Sequence, residues 1–436
     1  MEPIPTPPGG DSREAEASAD REGDSRHVDS LADEPIATDT KVNLLGMPRA
    51  DLQAFFDALG EKPYRARQVM KWIYHAGVDD FHAMTDISKS LRTRLDAIAE
   101  IRAPEFGPAQ RATDGVVKWP VRVGSGQAVE AVLIPDAKND HAAASVPAAR
   151  SRPRRQGLAG EERSSRRQTL CISSQVGCAL DCSFCATGKR GFNGNLSRAE
   201  IVGQVWRAEL EAGDGRMGAG SDDRNITNVV FMGMGEPLLN FDAVVGAADV
   251  LTDDLAFGIS KRRVTISTAG VVPRIRDLAA VSDVSLAVSL HAARDELRDV
   301  LVPLNRRYPI AELLAACRHY GGGLGERRAV TIEYTLIEEV NDTLRDAREL
   351  AAVLAGWRCK INLIPYNPFP EDRHGYRRPS KERVRRFQRC LMDAGYSAMI
   401  RATRGDDIGA ACGQLTGKVA DRTRRRERFL AGGVTA

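Results

Sequence analysis

The chain has 436 residues, 42% hydrophobic and 28% charged, with a net charge of +3, the composition of a soluble globular protein long enough to bury a core. No apolar run approaches the roughly 18 residues of a membrane helix. The acidic, Pro-rich start MEPIPTPPGG has neither the basic nor the apolar part of a secretory leader, so a cytoplasmic protein with no membrane partner is expected, and secreted, membrane-spanning and collagen-like classes are excluded.

The near-neutral total hides a split. Residues 1–40 hold eleven acidic and three basic side chains, a net of −8, which leaves +11 on the remainder. Such asymmetry points to nucleic acid, or to a basic solvated surface beside an acidic tail. The tail is poor in apolar residues and is expected to be disordered. Within 41–110, the stretches 49–59, 64–75 and 88–99 carry apolar residues at helical spacing, which predicts a small helical domain. In 111–135, the alternating runs 116–123 and 128–134 flank Gly124–Gly126 and predict a β-hairpin. Residues 136–167 read as a flexible basic insertion, with Arg-rich runs at 150–155 and 163–167 that either touch RNA phosphates or are simply solvated.

From 168 to 402 the pattern becomes regular. Strand-like runs at 169–173, 228–232, 263–267, 285–289, 329–336, 360–365 and 397–401 alternate with helical patterns such as 198–211, 242–253, 311–320, 342–355 and 381–394. This predicts an α/β fold with a parallel sheet and helices outside it. A full or partial (β/α) barrel of the TIM type fits, and a doubly wound open sheet is the competitor. Both bind ligands at the C-terminal ends of their strands. Residues 403–436 complete the chain with a loop around Cys412 and a C-terminal helix containing the basic run 422–428.

Four of the eight cysteines fall within fifteen residues. Cys178, Cys182 and Cys185 form C-x3-C-x2-C in a loop after the first strand of the core. Three thiolates on one tight loop can grip three corners of an iron–sulfur cubane and leave one iron open, whereas a [4Fe–4S] cluster normally takes four cysteines. Structural zinc is the alternative, with Cys171 as a fourth ligand. Other strand ends carry polar groups. Gly235 and Glu236 lie in Phe231-Met-Gly-Met-Gly-Glu-Pro237, and Glu236 could accept from an ammonium. Ser267 closes the third strand, Ser289, Leu290 and His291 the fourth, and Asn367 the sixth. Each alone could cap a helix; together they suggest one pocket.

The cysteine spacing is the signature of the radical S-adenosylmethionine (SAM) superfamily. Within it, the segments 171–188, 232–240, 267–271, 289–291, 362–370 and 404–415 (RGDDIGAACGQL) resemble the radical SAM RNA adenine methyltransferases of the RlmN type. The resemblance covers about residues 48–430 without the insertion at 136–167. A related type, Cfr, methylates C8 instead; Gly235-Glu-Pro-Leu-Leu-Asn240 looks like the C2 enzyme.

The resemblance implies a [4Fe–4S] cluster on Cys178, Cys182 and Cys185, with SAM bound by Gly235, Glu236, Ser267, Ser289, Leu290, His291 and Asn367. It implies methylation of C2 of one adenosine in 23S rRNA and of the adenosine beside the tRNA anticodon. Cys412 would carry the methyl group on a mobile loop containing Gly405 and Gly413. Glu130 would remove the C2 proton, and Cys171 would release the product by forming a disulfide with Cys412. A thiol reductant must then restore the pair, and a flavodoxin or ferredoxin would supply electrons to a monomeric enzyme. The region 41–110, with Tyr64-Arg-Ala-Arg67, resembles the part that holds RNA. Cys317, Cys359 and Cys390 read as small hydrophobes, and His75 and His319 as structural.

Overall fold

The computed structural model describes residues 41–135, 168–218 and 224–417. The expected acidic tail, the basic insertion and the C-terminal helix lie outside them. The two-stranded hairpin β1 (Val117–Arg122) and β2 (Ala128–Pro135) begins the large sheet. Strand β2 then pairs antiparallel with β3 (Gln168–Cys171), setting Val132 opposite Cys171. Six further strands follow in parallel: β4 (Asn228–Phe231), β5 (Val264–Thr268), β6 (Ser285–Ser289), β7 (Thr331–Leu336), β8 (Lys360–Pro365) and β9 (Ser397–Ile400).

Strands β3 to β9 are neighbours in chain order, with no reversal. A doubly wound sheet would reverse its order at a switch point, so the arrangement is a partial barrel. Among the described residues its two ends do not pair with each other: β9 bonds only to β8, and the free edge of β3 is taken by β2. The strands are rich in Val, Ile and Leu, as expected where helices cover one face and the barrel interior the other.

Helices fill the crossovers. The longer ones, Arg198–Ala212, Phe241–Thr252, Ile310–Gly323, Leu344–Val353 and Lys381–Asp393, match the sequence patterns to within a few residues. Ser197, Thr343 and Ser380 cap three of them through their side chains, the first two in full capping boxes. Two further helices, Val272–Val281 and Asp295–Leu301, were not among those singled out. The first carries Pro273 in its first turn, where the missing N–H costs nothing. The second is seven residues long and too short for periodicity to show.

The helices Arg49–Ala58, Tyr64–Tyr74 and Lys89–Ile98 form the N-terminal region, and the first two touch the outer helices of the barrel. Arg49 pairs with Asp253 and Asp254, and Asp51 with Arg198 at 2.6 Å. The indole Nε1 of buried Trp206 donates to the carbonyl of Ile73 (2.9 Å). His75 has the structural role expected of it, its Nε2 lying 3.1 Å from the carbonyl of Ala256. Gly46 is required at its position: its φ is +84°, and a Cβ there would meet the carbonyl oxygen of Arg198 at 2.9 Å. Replacing Trp206 with Ala should cost about 3–5 kcal/mol of stability. Denaturation midpoints followed by circular dichroism check this, and a loss below 1 kcal/mol would show that the docking is incidental.

Candidate active site

The chain leaves β3 at Cys171 and enters a small hairpin, Gln175–Gly177 with Phe192–Asn195, which frames the cysteine loop. The amide of Cys178 donates to the carbonyl of Gly191 (2.7 Å). Asp181 takes a left-handed φ of +51° and pairs with Lys189 at 2.9 Å. Cys185 sits just before the short helix Ala186–Lys189. Cys178, Cys182 and Cys185 line one cavity at the C-terminal ends of the strands. All are free thiols. Burial pushes the thiols of Cys178 and Cys182 well up.

The opposite wall is built from the predicted strand ends. Gly235, Glu236, Ser267, Ser289, His291 and Asn367 all line this cavity. Gly235 has φ +99°, and a Cβ on it would strike Gln175 at 2.5 Å. The Glu236 carboxylate accepts from the amides of Leu238 (3.1 Å) and Ala269 (2.8 Å), tying the loops after β4 and β5 together. Burial raises its pKa to about 7, against those amide bonds. His291 takes a φ of +58°, and its Nδ1 accepts from the amide of Thr335 at 2.9 Å. The neutral ring therefore carries its proton on Nε2. The Phe184 ring, between two of the cysteines, meets His291 edge-on at 4.5 Å. Leu290 differs from expectation: its side chain is fully buried in the core, and it is absent from the cavity wall. Its amide bonds to Glu333 and its carbonyl to Arg298.

A second cavity lies inside the barrel. Cys171 and Cys412 both line it, and Cys412, Asn367 and Glu333 line the first cavity as well. Burial pushes the Cys171 thiol up to about 12 and also raises that of Cys412. The positive charge of Arg401 pulls both down. Beside them, buried Glu333 accepts from Asn362 Nδ2 at 2.7 Å.

The segment carrying Cys412 is pinned on several sides. Asn367 Nδ2 donates to the carbonyl of Cys412 (3.1 Å), the amide of Ala186 to Gly413 O (2.8 Å), and Thr187 Oγ1 to Leu415 O (2.7 Å). Asp114 accepts from Arg404 and from the amide of Gly405, both at 2.9 Å. Glu130 belongs to this scaffold. Its carboxylate pairs with Lys118 (3.1 Å) and accepts from the amides of Thr416 (2.8 Å) and Gly417 (3.2 Å). It lines neither of the two cavities.

With this geometry in place, comparison with known proteins is informative. Residues 42–101 match the ribosomal RNA large subunit methyltransferase N-terminal domain, and residues 172–351 match the radical SAM superfamily. The chain is 56% identical to the dual-specificity RNA methyltransferase RlmN of Marinobacter nauticus, over 90% of this chain and 97% of that protein. It is 54% identical to that of Pseudomonas fluorescens, over 90% and 94%. The chain belongs to the RlmN family of radical SAM RNA methyltransferases. A crystal structure of a radical SAM methyltransferase from Sphaerobacter thermophilus superposes with a TM-score of 0.71 at 40% identity, covering 86% of this chain and 99% of that one.

RlmN membership implies SAM and an iron–sulfur cluster, and the residues present fit both. Among the described residues no group of three or more His, Cys, Asp or Glu side chains is arranged to hold a single metal ion. Cys171, the fourth ligand a zinc site would need, lines the second cavity and not the first. A cubane presents its irons at separate corners, so three thiols need not converge on one point. Three sulfur donors on one loop lining one cavity are the donor set such a cluster takes. Among the described residues no helix is long and apolar enough to cross a membrane.

Sequence reasoning missed Arg298, Glu333, Asn362 and Arg401. Asn362 opens the segment 362–370 but the sequence suggests no role for it, Glu333 and Arg401 offer only their places on or just after a strand, and Arg298, on a short polar helix, offers no signal.

Burial first, then the charge of Arg298, lowers the His291 pKa from 6.5 to about 3. The folded state thus binds fewer protons than the unfolded chain. The stability this ring contributes is complete above pH 6.5 and is lost as pH falls toward 3. The advantage of the iron-free protein over His291→Gln should therefore shrink by about 2 kcal/mol between pH 7 and pH 5. Urea midpoints of the pair report this, and a constant difference would refute the neutral, desolvated ring. Glu236 titrates with the opposite sign in the window from 4.5 to 7, and it cancels between the two proteins.

Proposed function

We propose that the enzyme methylates C2 of one adenosine in 23S rRNA and of the adenosine beside the anticodon in tRNA. The methyl group would be carried on Cys412. The observation that carries this reading is the position of Cys412 on the shared wall of two cavities, one holding the three-cysteine loop and the other Cys171. A sulfur there can meet SAM from one side and an RNA base from the other.

Cys178, Cys182 and Cys185 would hold a [4Fe–4S] cluster, and Gly235, Glu236, Ser267, Ser289, His291 and Asn367 the SAM. When bound, this pair supplies a 5′-deoxyadenosyl radical. C2 of adenine is electron-poor and offers no nucleophilic pair, so polar methylation fails there and a carbon radical must add. Cys412, once methylated by one SAM, provides that carbon after losing a hydrogen atom. Addition to C2 links protein and RNA covalently. Glu130 then takes the C2 proton, which requires it to exchange the amides of Thr416 and Gly417 for substrate. The adduct's unpaired electron would leave to the oxidised cluster; the Cys171 thiolate would then attack Cys412 sulfur, the carbon–sulfur pair passing to the former methylene carbon, which takes a proton to become the methyl, and a disulfide would remain for a thiol reductant to reopen. A low-potential flavodoxin or ferredoxin supplies the electrons, and the enzyme works as a cytoplasmic monomer with the helical region 41–110 holding RNA.

Protein purified with SAM should carry an extra mass of about one CH₂ on Cys412. Cys412→Ala should lose that mass and all product. Cys171→Ala should trap protein linked to RNA. Mass spectrometry of digested product then decides the regiochemistry: 2-methyladenosine supports the reading, while 8-methyladenosine or an unmodified Cys412 in active enzyme rejects it.

A further inference from the structure

Arg298 is fully buried, and among the described residues no carboxylate pairs with it. Neutral groups surround its guanidinium instead. Nε donates to Leu290 O (3.0 Å), Nη1 to Asn305 Oδ1 (2.9 Å), and Nη2 to Ala269 O (2.7 Å) and Ser289 O (2.9 Å). Ala269 and Ser289 line the cavity that contains the three cysteines, whereas Arg298 does not reach it. One helical turn along, the carbonyl of Leu301 accepts from the amide of Ser183, which follows Cys182 (3.0 Å). The helix bearing Arg298 therefore abuts the cysteine loop directly.

A buried cation compensated only by dipoles is costly unless an anion completes it. Asp295 and Asp299 attract Arg298 only at a distance, with no ion pair or hydrogen bond to it among the described residues. Both carboxylates are satisfied at one remove, accepting from Asn305 Nδ2 at 3.0 and 2.7 Å. Burial lowers the Arg298 pKa to about 10, so the group stays charged at neutral pH. Its charge lies one helical turn from the contact with the cysteine loop, behind two carbonyls of residues that line the cavity. Three cysteine thiolates around a cluster make a net anion, and each added electron makes it more negative.

We propose that Arg298 is a positioning residue whose fixed buried charge makes the iron–sulfur cluster on Cys178, Cys182 and Cys185 easier to reduce. This rests on the assignment of those three cysteines as the cluster ligands. Net charge and burial around a cluster are established determinants of its potential. The competing role is scaffolding alone, in which Arg298 does no more than hold the ends of β5 and β6.

The full-length protein, reconstituted with iron and sulfide under anoxic conditions, can be titrated with dithionite as the one-electron donor. The reduced cluster is read by electron paramagnetic resonance. Arg298→Gln should shift the reduction equilibrium at least tenfold toward the oxidised form, which is 59 mV for one electron. Arg298→Lys, which keeps the charge and loses the fork, should stay within threefold of wild type. Asp299→Asn removes a partly exposed negative charge that faces the same arginine and should shift the equilibrium the other way. An Arg298→Gln cluster with an unchanged potential overturns the proposal, as does a Lys variant shifted as far as Gln. Should Arg298→Gln fail to fold, an Asp299→Asn potential equal to wild type overturns it. Wild-type protein that takes up no iron refutes the ligand assignment itself, separately from any effect of Arg298.

Discussion

Strand β3 has two edges, and both are occupied: β4 bonds to one and the hairpin strand β2 to the other. A barrel whose first strand is saturated in this way cannot close onto its last. The open side must be covered by something else, and the segment after β9 covers it. Arg404 and Gly405 bond to Asp114, before the hairpin; Gly409 O accepts from Lys118 (3.3 Å); and Thr416 and Gly417 bond to Glu130. On the other flank Gln414 reaches Pro368 O (2.8 Å) and Asn367 reaches Cys412 O. With that edge saturated, a largely irregular segment carrying Cys412, with one short 3-10 turn at Asp406–Ile408, lies across the mouth of the barrel. The partition between the two cavities follows from sheet topology before any chemistry is considered.

Burial in the interior behind this segment disfavours the charged forms of its ionisable side chains. Glu236 rises to about 7, His291 falls to about 3, and Glu333 is also raised, each because burial penalises the charged form. The protein compensates with backbone. Leu238 and Ala269 amides serve Glu236, the Thr335 amide serves His291, and three carbonyls serve Arg298. Backbone donors are fixed by the strands, so these side chains are held without the flexibility of ion pairs. The cost of an unsatisfied buried group then makes each strand end report on its neighbour.

What could be read in advance divides along the same line. The three clustered cysteines, Cys178, Cys182 and Cys185, are legible because they lie close together in sequence and their spacing itself has chemical meaning. Ser267, Ser289, His291 and Asn367 are legible once the barrel is inferred, because the fold gathers C-terminal strand ends. Leu290 shows the limit: it lies between two cavity residues, yet strand alternation turns it into the core. Glu130 shows another, since an alternating strand gives no sign that a distant segment will claim its carboxylate. Arg298 sits on a helix of seven residues with charged neighbours at 295, 296 and 299. Local polarity marks that helix as a solvated surface, and only the tertiary structure reveals one arginine in it with no exposure at all.

The second cavity sets a kinetic problem for the proposed exchange between Cys171 and Cys412. A thiol displaced to about 12 is ionised in only about one molecule in 10⁵ at neutral pH. Thiolate is the attacking species, so burial of Cys171 disfavours its attack. Of the charges felt by both thiols, Arg401 is the one that stabilises a thiolate. Buried Glu333, which accepts from Asn362, also attracts that guanidinium electrostatically. A substrate that engaged Glu333 or Asn362 would leave more of the arginine's charge to the sulfurs.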